Sequence, residues 1–130
     1  MSAESEFQRA AQAYRTGDFS TVVRVCEELI RQTPGPDALA AIFNLKALGL
    51  SGQGLMFAAA DCIEEAILLN PENALLRHHA ARIFLALGRH ETAQQEAEKS
   101  CAISPGNTAY RYQLARVHLD RKSTRLNSSH

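Results

Sequence analysis

Tryptophan is absent from the 130 residues, cysteine occurs three times, proline four times, and aromatic side chains make up 6% of the chain. Each scarcity excludes something. Cys26, Cys62 and Cys101 are an odd number at wide spacing with no CxxC pair, which argues against a disulfide framework and against a zinc or thiol-redox site. Each lies in an apolar stretch and reads as a reduced, buried small hydrophobe. No run of about 18 apolar residues occurs, and the leading MSAESEFQRAAQAYR has no apolar core after a basic start, so neither a membrane span nor a signal peptide is expected. The expected location is cytoplasmic. Nor is there an excess of either charge: Lys plus Arg and Asp plus Glu stand at 14 each, which removes the bulk attraction of a nucleic-acid or anionic-membrane binder.

Catalytic signatures are missing too. There is no GxSxG, no phosphate-cradling glycine loop and no HExxH, so no catalytic, cofactor or metal residue is assigned and the residues present are not expected to form an enzyme. The neighbours His78 and His79 point about 100° apart on a helix and do not converge on one ion. The pairs Glu27, Glu28 and Glu64, Glu65 diverge in the same way and read as solvated faces.

What is present is helix-forming. Ala, Leu, Glu, Gln and Arg dominate, 45% of residues are hydrophobic and 22% charged, and an all-α single globular domain follows. The last eleven residues, 120–130, read DRKSTRLNSSH and resemble the in-frame translation of a widely used sequencing-adaptor oligonucleotide. They are set aside as a non-native tail, and the natural chain is expected to continue differently beyond Leu119. Without Asp120, Arg121, Lys122 and Arg125, 11 basic residues face 13 acidic ones.

Glycine and proline mark a repeat. Gly17 and Pro34, Gly54 and Pro71, and Gly88 and Pro105 are each 17 residues apart. Gly54 to Gly88 is 34 residues and Gly17 to Gly54 is 37, so three residues are inserted, and the stretch PGPDAL after Pro34 is the expected loop that holds them. Repeats of about 3–36, 40–73 and 74–107 result, with a partial one at 108–119 that begins a fourth; together they make a domain at 1–119. Each half-repeat fits a helix of three to four turns with apolar spacing of three and four. Phe43, Ala47 and Leu50 share one face, answered by Ala59, Ile63, Ala66 and Ile67. Ala81 and Phe84 are answered by Ala93, Ala97 and Cys101.

These residues resemble the tetratricopeptide repeat, whose pattern runs W-x2-L-G-x2-Y, then A-x3-F and a closing P. Phe43 takes the Trp place, Ala47 the small place, Leu50 the Tyr place, then Ala59, Ile63, Ala66 and Pro71 follow. The third repeat matches through Ala80, Ala81, Phe84, Ala93 and Pro105, and the fourth begins with Leu114, Ala115 and His118. The first departs, with Glu6 and Arg9 at the Trp and Leu places, but keeps Ala10, Val22, Cys26, Leu29 and Pro34. The resemblance implies a right-handed superhelical stack of antiparallel helix pairs, an α-solenoid, whose first helices line a concave groove for a peptide or protein segment.

On that implication, two ladders face the groove: Asn44, His78 and Tyr112, and Leu48, Arg82 and Arg116, preceded by Phe7 and Ala11 in the first repeat. The groove is then apolar towards Phe7, Ala11 and Leu48 and polar or basic towards His78, Arg82, Tyr112 and Arg116. Relatives that clamp a chaperone's C-terminal carboxylates use Lys and Asn where Phe7 and Ala11 stand, and neither of those can donate a side-chain hydrogen bond. The expected role is a protein-interaction scaffold with a protein or peptide partner, and neither nucleic acid nor membrane. Two other roles fit the same residues: the docking or regulatory arm of a larger enzyme such as a sulfotransferase or glycosyltransferase, and an assembly module that self-associates through the uncovered fourth-repeat end.

Alanine recurs at Ala59 and Ala93 because helices about 8–10 Å apart leave room only for a small side chain. Ala59→Leu is expected to destabilise the chain by about 1–3 kcal/mol through overpacking; thermal melts followed by circular dichroism check it, and an unchanged midpoint contradicts the assignment.

Overall fold

The computed structural model describes residues 2–32 and 34–128, with side chains as far as Ser123. Seven helices run in order: α1 (Ala3–Arg15), α2 (Phe19–Arg31), α3 (Pro36–Gly52), α4 (Met56–Leu69), α5 (Ala74–Ala86), α6 (His90–Ile103) and α7 (Thr108–Ser128). No strand occurs among the described residues. The fold is an all-α helical repeat, with α1/α2, α3/α4 and α5/α6 as pairs and α7 opening a fourth. None of the helices is long and apolar enough to cross a membrane, among the residues described.

The chain divides into two compact units, Met1–Pro71 and Glu72–His130. In the first, each helix packs on the next from α1 to α4, and α1 also meets α3; in the second, α5 packs on α6, α6 on α7, and α5 on α7.

One turn chemistry recurs inside every pair. Gly17, Gly54 and Gly88 have φ of 82°, 80° and 77°, a left-handed conformation that an L side chain resists. The amide that follows each glycine donates back into the last helical turn: Asp18 to Ala13 at 2.8 Å, Leu55 to Leu50 at 2.9 Å and Arg89 to Phe84 at 2.9 Å. Carbonyls that a helix end leaves orphaned are thereby satisfied. After Pro71 and Pro105 an asparagine caps the next helix, whereas Gly35 precedes α3 without a side-chain cap. Asn73 Oδ1 accepts from the amides of Leu75 and Leu76 at 2.9 and 3.3 Å, and Asn107 Oδ1 accepts from that of Tyr110 at 3.1 Å.

The three-residue insertion is not a loop. α3 starts at Pro36 and the intervals 32–35, 70–73 and 104–107 are equally long, so the inserted residues lengthen α3 to 17 residues where α1 and α5 have 13. Pro36 sits at the first helical position, where its missing N–H costs nothing, Asp37 complements the dipole of the first turn, and Ala38 to Ala41 propagate the helix readily. Position and propensity together favour helix over an extended turn.

Equivalent positions bury equivalent volumes. On the second helices, Val22, Cys26 and Leu29 become Ala59, Ile63 and Ala66, then Ala93, Ala97 and Ser100, all at most 2% exposed. Taken together these side chains shrink along the chain, although Cys26 gives way to the larger Ile63. The first-helix residue at the matching register grows in step, from Ala13 to Leu50 to Phe84, so each pair stays filled. Ser100, not Cys101, completes this row in the third pair; its Oγ donates to the Ala97 carbonyl at 2.9 Å, while Cys101 is only half-buried. Cys26 and Cys62 are buried as expected, and burial pushes the Cys26 thiol up to about 12.

In α7 the expected face is offset. Gln113 and Val117 are the buried residues, Leu114 is half-buried, and Ala115 and His118 are exposed. α7 packs against α6 and α5 through one side, whereas the side that Ala47 and Ala81 bury against the second helix of their own pair has no such helix to meet among the described residues. The helix also continues past Leu119 to Ser128, and the residues set aside as a tail take part: His90 Nε2 and Asp120 Oδ2 lie 2.6 Å apart, and Arg121 donates to Gln94 at 2.7 Å.

Gly49 lies where α3 crosses α2. A Cβ there would stand 2.7 Å from Val22 Cγ1 and 3.1 Å from Val22 Cβ, and Val22 is fully buried and stiff at χ1. Gly49→Ala is expected to cost about 1–3 kcal/mol by overpacking, despite the better helix propensity of alanine. Combined with Val22→Ala, the loss should be smaller than the sum of the two single losses by about 1 kcal/mol; urea titrations of the four proteins measure the coupling, and strict additivity contradicts the contact.

Candidate functional site

The second helices of the first two pairs, α2 and α4, turn their apolar faces inward and their charges outward. Glu27, Glu28, Glu64 and Glu65 are exposed, Glu27 lying 3.7 Å from Lys46 Nζ and Glu28 3.9 Å from Arg24. As exposed pairs these contribute little to stability. The first helices carry the residues that the repeat register groups into ladders, some half-buried and some exposed, and their chemistry differs between the units.

In the first unit, Phe7 and Ala11 are half-buried on α1 and pack on the core cluster of Ala10, Val22, Cys26, Leu29 and Ile42. Asn44 and Leu48 are half-buried on α3, which packs on α1. This surface is largely apolar, and Phe7 extends it towards the start of α3. A cavity opens there between α1, the end of α2 and the lengthened first turn of α3. Spacing arguments missed it, because they place 34–39 in a loop.

In the second unit, His78 is half-buried on α5 and Arg82 is exposed one turn later. Tyr112 and Arg116 are both exposed on α7, which packs on α5, with Tyr112 67% accessible. The ring that rests on His78 is Tyr110, with centroids 4.9 Å apart and planes tilted by 37°. Tyr110 lies two residues from the ladder position that sequence spacing selects. The basic character expected of this unit is present in Arg82 and Arg116, both open to solvent.

A second feature missed by the spacing argument joins α5 to α6. Arg77 occupies the Trp place of its repeat, and its Nη1 reaches Glu96 at 3.0 and 3.3 Å, with Lys99 3.7 Å from the same carboxylate. Both side chains are largely withdrawn from water. An ion pair thus stands where aromatic packing is usual, and removing one partner would leave a poorly solvated charge.

His78 and His79 have ring centroids 5.6 Å apart, and among the described residues no group of three or more His, Cys, Asp or Glu is placed to hold a metal ion. Burial pushes His79 down to about 4, with the charges of His78 and Arg82 adding to the effect, and burial followed by Arg82 lowers His78 as well. The register explains His79: its equivalents are the buried Leu45 and Gln113, so a half-buried titratable ring stands at a position that is buried in the neighbouring repeats.

No family model and no curated protein matches the sequence. Solved structures do match, across most of the chain. The first TPR domain of Spaghetti (RPAP3), bound to the HSP90 peptide SRMEEVD, superposes with a TM-score of 0.81 at 14% identity, covering 90% of each chain. PcrH, in complex with the chaperone-binding region of PopB, gives 0.75 at 19% identity over 91% of this chain and 93% of its own. A chain of the APC/C hetero-tetramer Cut9–Hcn1 gives 0.82 at 18% identity over 86% of this chain, which spans only 22% of that longer one. At such identities the likeness is one of fold.

The lowered His79, with His78 shifted in the same direction, is expected to make the second unit acid-sensitive. A native pKa held below the unfolded value means the unfolded chain binds the extra proton first, so stability is full above about 6.5 and falls as pH drops towards 4. His79→Leu, which restores the residue type found at Leu45, is expected to flatten the melting temperature between pH 6.5 and pH 4. An unchanged slope in that variant would assign the acid sensitivity to other groups.

Proposed function

We propose that this chain, which has the tetratricopeptide-repeat fold, is a protein-interaction scaffold that holds a peptide or protein segment against the outward sides of its first helices. The observation that carries this reading is the division of labour within the repeats. The apolar faces of the helix pairs are consumed in packing, while Asn44, Leu48, His78, Arg82, Tyr112 and Arg116 remain half-buried or exposed on α3, α5 and α7. Repeats that contact only their neighbours leave such surfaces free for a partner. The peptide held by the first TPR domain of RPAP3 and the PopB segment held by PcrH support the same use here.

The partner differs in chemistry from an acidic chain end clamped in the first repeat. Phe7 and Ala11 offer apolar contact and no donor, so the first unit favours an apolar stretch of the partner. The second unit, with Arg82 and Arg116 exposed, favours acidic side chains. Binding and not catalysis is the role of the residues present.

Arg82→Glu with Arg116→Glu tests the basic side. Both positions are exposed, so folding should be untouched by circular dichroism, while recovery of bound partners in a pull-down should fall about tenfold, as expected when two contacts worth up to about 1 kcal/mol each are lost or reversed. Equal recovery of all partners would remove the arginines from the binding surface.

A further inference from the structure

The inserted residues that lengthen α3 do more than extend a helix. They build one wall of a cavity of about 430 Å³ in the first unit, within the range of sites that accommodate a small ligand or an anchoring side chain. Its floor is apolar: Leu29 from α2 and Ile42 from α3 are buried, and Phe7 from α1 is half-buried. Ala38, in the added turn, and Ala41 form the outer wall, and both are exposed. Their small size keeps the cavity open; a larger residue at either would fill it.

One charge lies on the wall. Glu4 is exposed in the first turn of α1 and forms no ion pair among the described residues, whereas Glu6, two residues on, lies 3.5 Å from Arg9. Asp37 stands beside Ala38 in the first turn of α3 and adds negative charge to that end of the helix. An acidic group entering here would meet repulsion, and an apolar group with a cation beside it would be complementary on both counts.

We propose that this cavity is an anchor site for a large apolar side chain, such as Leu, Met or Phe, of a partner peptide that carries Lys or Arg next to it, with the cation paired to Glu4. The assignment rests on the scaffold reading and supplies the partner chemistry of its first unit. It places the determinant of specificity in residues that the other repeats lack, since the turn containing Ala38 has no counterpart in α5.

The test uses the isotope-labelled full chain and three probe peptides: acetyl-SSLKSS-amide, the same peptide with Ser for Leu, and the same peptide with Glu for Lys. The Leu–Lys probe should give saturable amide shifts at Phe7, Ala38, Ala41 and Ile42. Ala41→Trp, which fills the cavity from an exposed position, should raise its Kd about tenfold, and Glu4→Lys about threefold. Ala38→Trp serves as the second filling variant should Ala41→Trp alter the melting curve. Equal shifts from the Leu-less probe, equal affinity in both filling variants, or no saturable shift would overturn the anchor site. None of these results touches the scaffold reading, which fails separately if the wild-type chain recovers no partner or, for its basic side, if the Arg82→Glu, Arg116→Glu variant recovers them all.

Discussion

Everything in this chain depends on close packing between neighbouring helices. The positions that meet are set by the repeat, but the residues that fill them are not constant. Val22, Cys26 and Leu29 leave room only for Ala13, while Ala93, Ala97 and Ser100 require Phe84 opposite. An interior packed like a crystal tolerates neither a void nor a surplus methyl group, so a change on one helix imposes its complement on the other. The crossing of α2 and α3 shows the same rule at its limit, where Val22 is accommodated because Gly49 has no side chain. In the α6–α7 pairing the sizes are exchanged, with Ala93 on the second helix and Val117 buried at the register of Gly49.

Constant packing inside leaves the outward residues free to differ, and the two units use that freedom differently. The first presents Phe7, Ala11 and Leu48 and opens a cavity beside the lengthened α3. The second presents Arg82, Arg116 and Tyr112, holds His78 against Tyr110, and substitutes the Arg77–Glu96 pair for aromatic packing between α5 and α6. On the scaffold role proposed above, the first unit would offer a partner apolar contact and the second positive charge. His79, which burial biases towards its neutral form, is half-buried where the first unit has the buried Leu45, so a titratable ring borders the core of the second unit.

Most of the fold was legible in the chain itself. Glycine at a left-handed position and proline after a helix are local requirements, so Gly17, Gly54 and Gly88 with Pro34, Pro71 and Pro105 disclose the helix boundaries without tertiary information. Of the ladder residues, Arg82 and Arg116 are exposed on α5 and α7. Where a side chain's neighbour belongs to another helix, register is insufficient. Tyr110 rather than Tyr112 meets His78, and Ser100 rather than Cys101 closes the third pair, because the rotation of a helix about its axis is decided by what it packs against.

The sequence by itself therefore determined the number of the helix pairs, the Gly and Pro turns that end their helices, and the fold they make, since turns, caps and apolar period are properties of contiguous residues. Tertiary structure alone decided that the insertion after Pro34 becomes helix, that α7 buries Gln113 and Val117 instead of Ala115 and His118, and that a cavity opens beside Phe7. These outcomes depend on which surfaces neighbouring helices cover and how much volume they leave, quantities that arise only when residues distant in the chain are brought together.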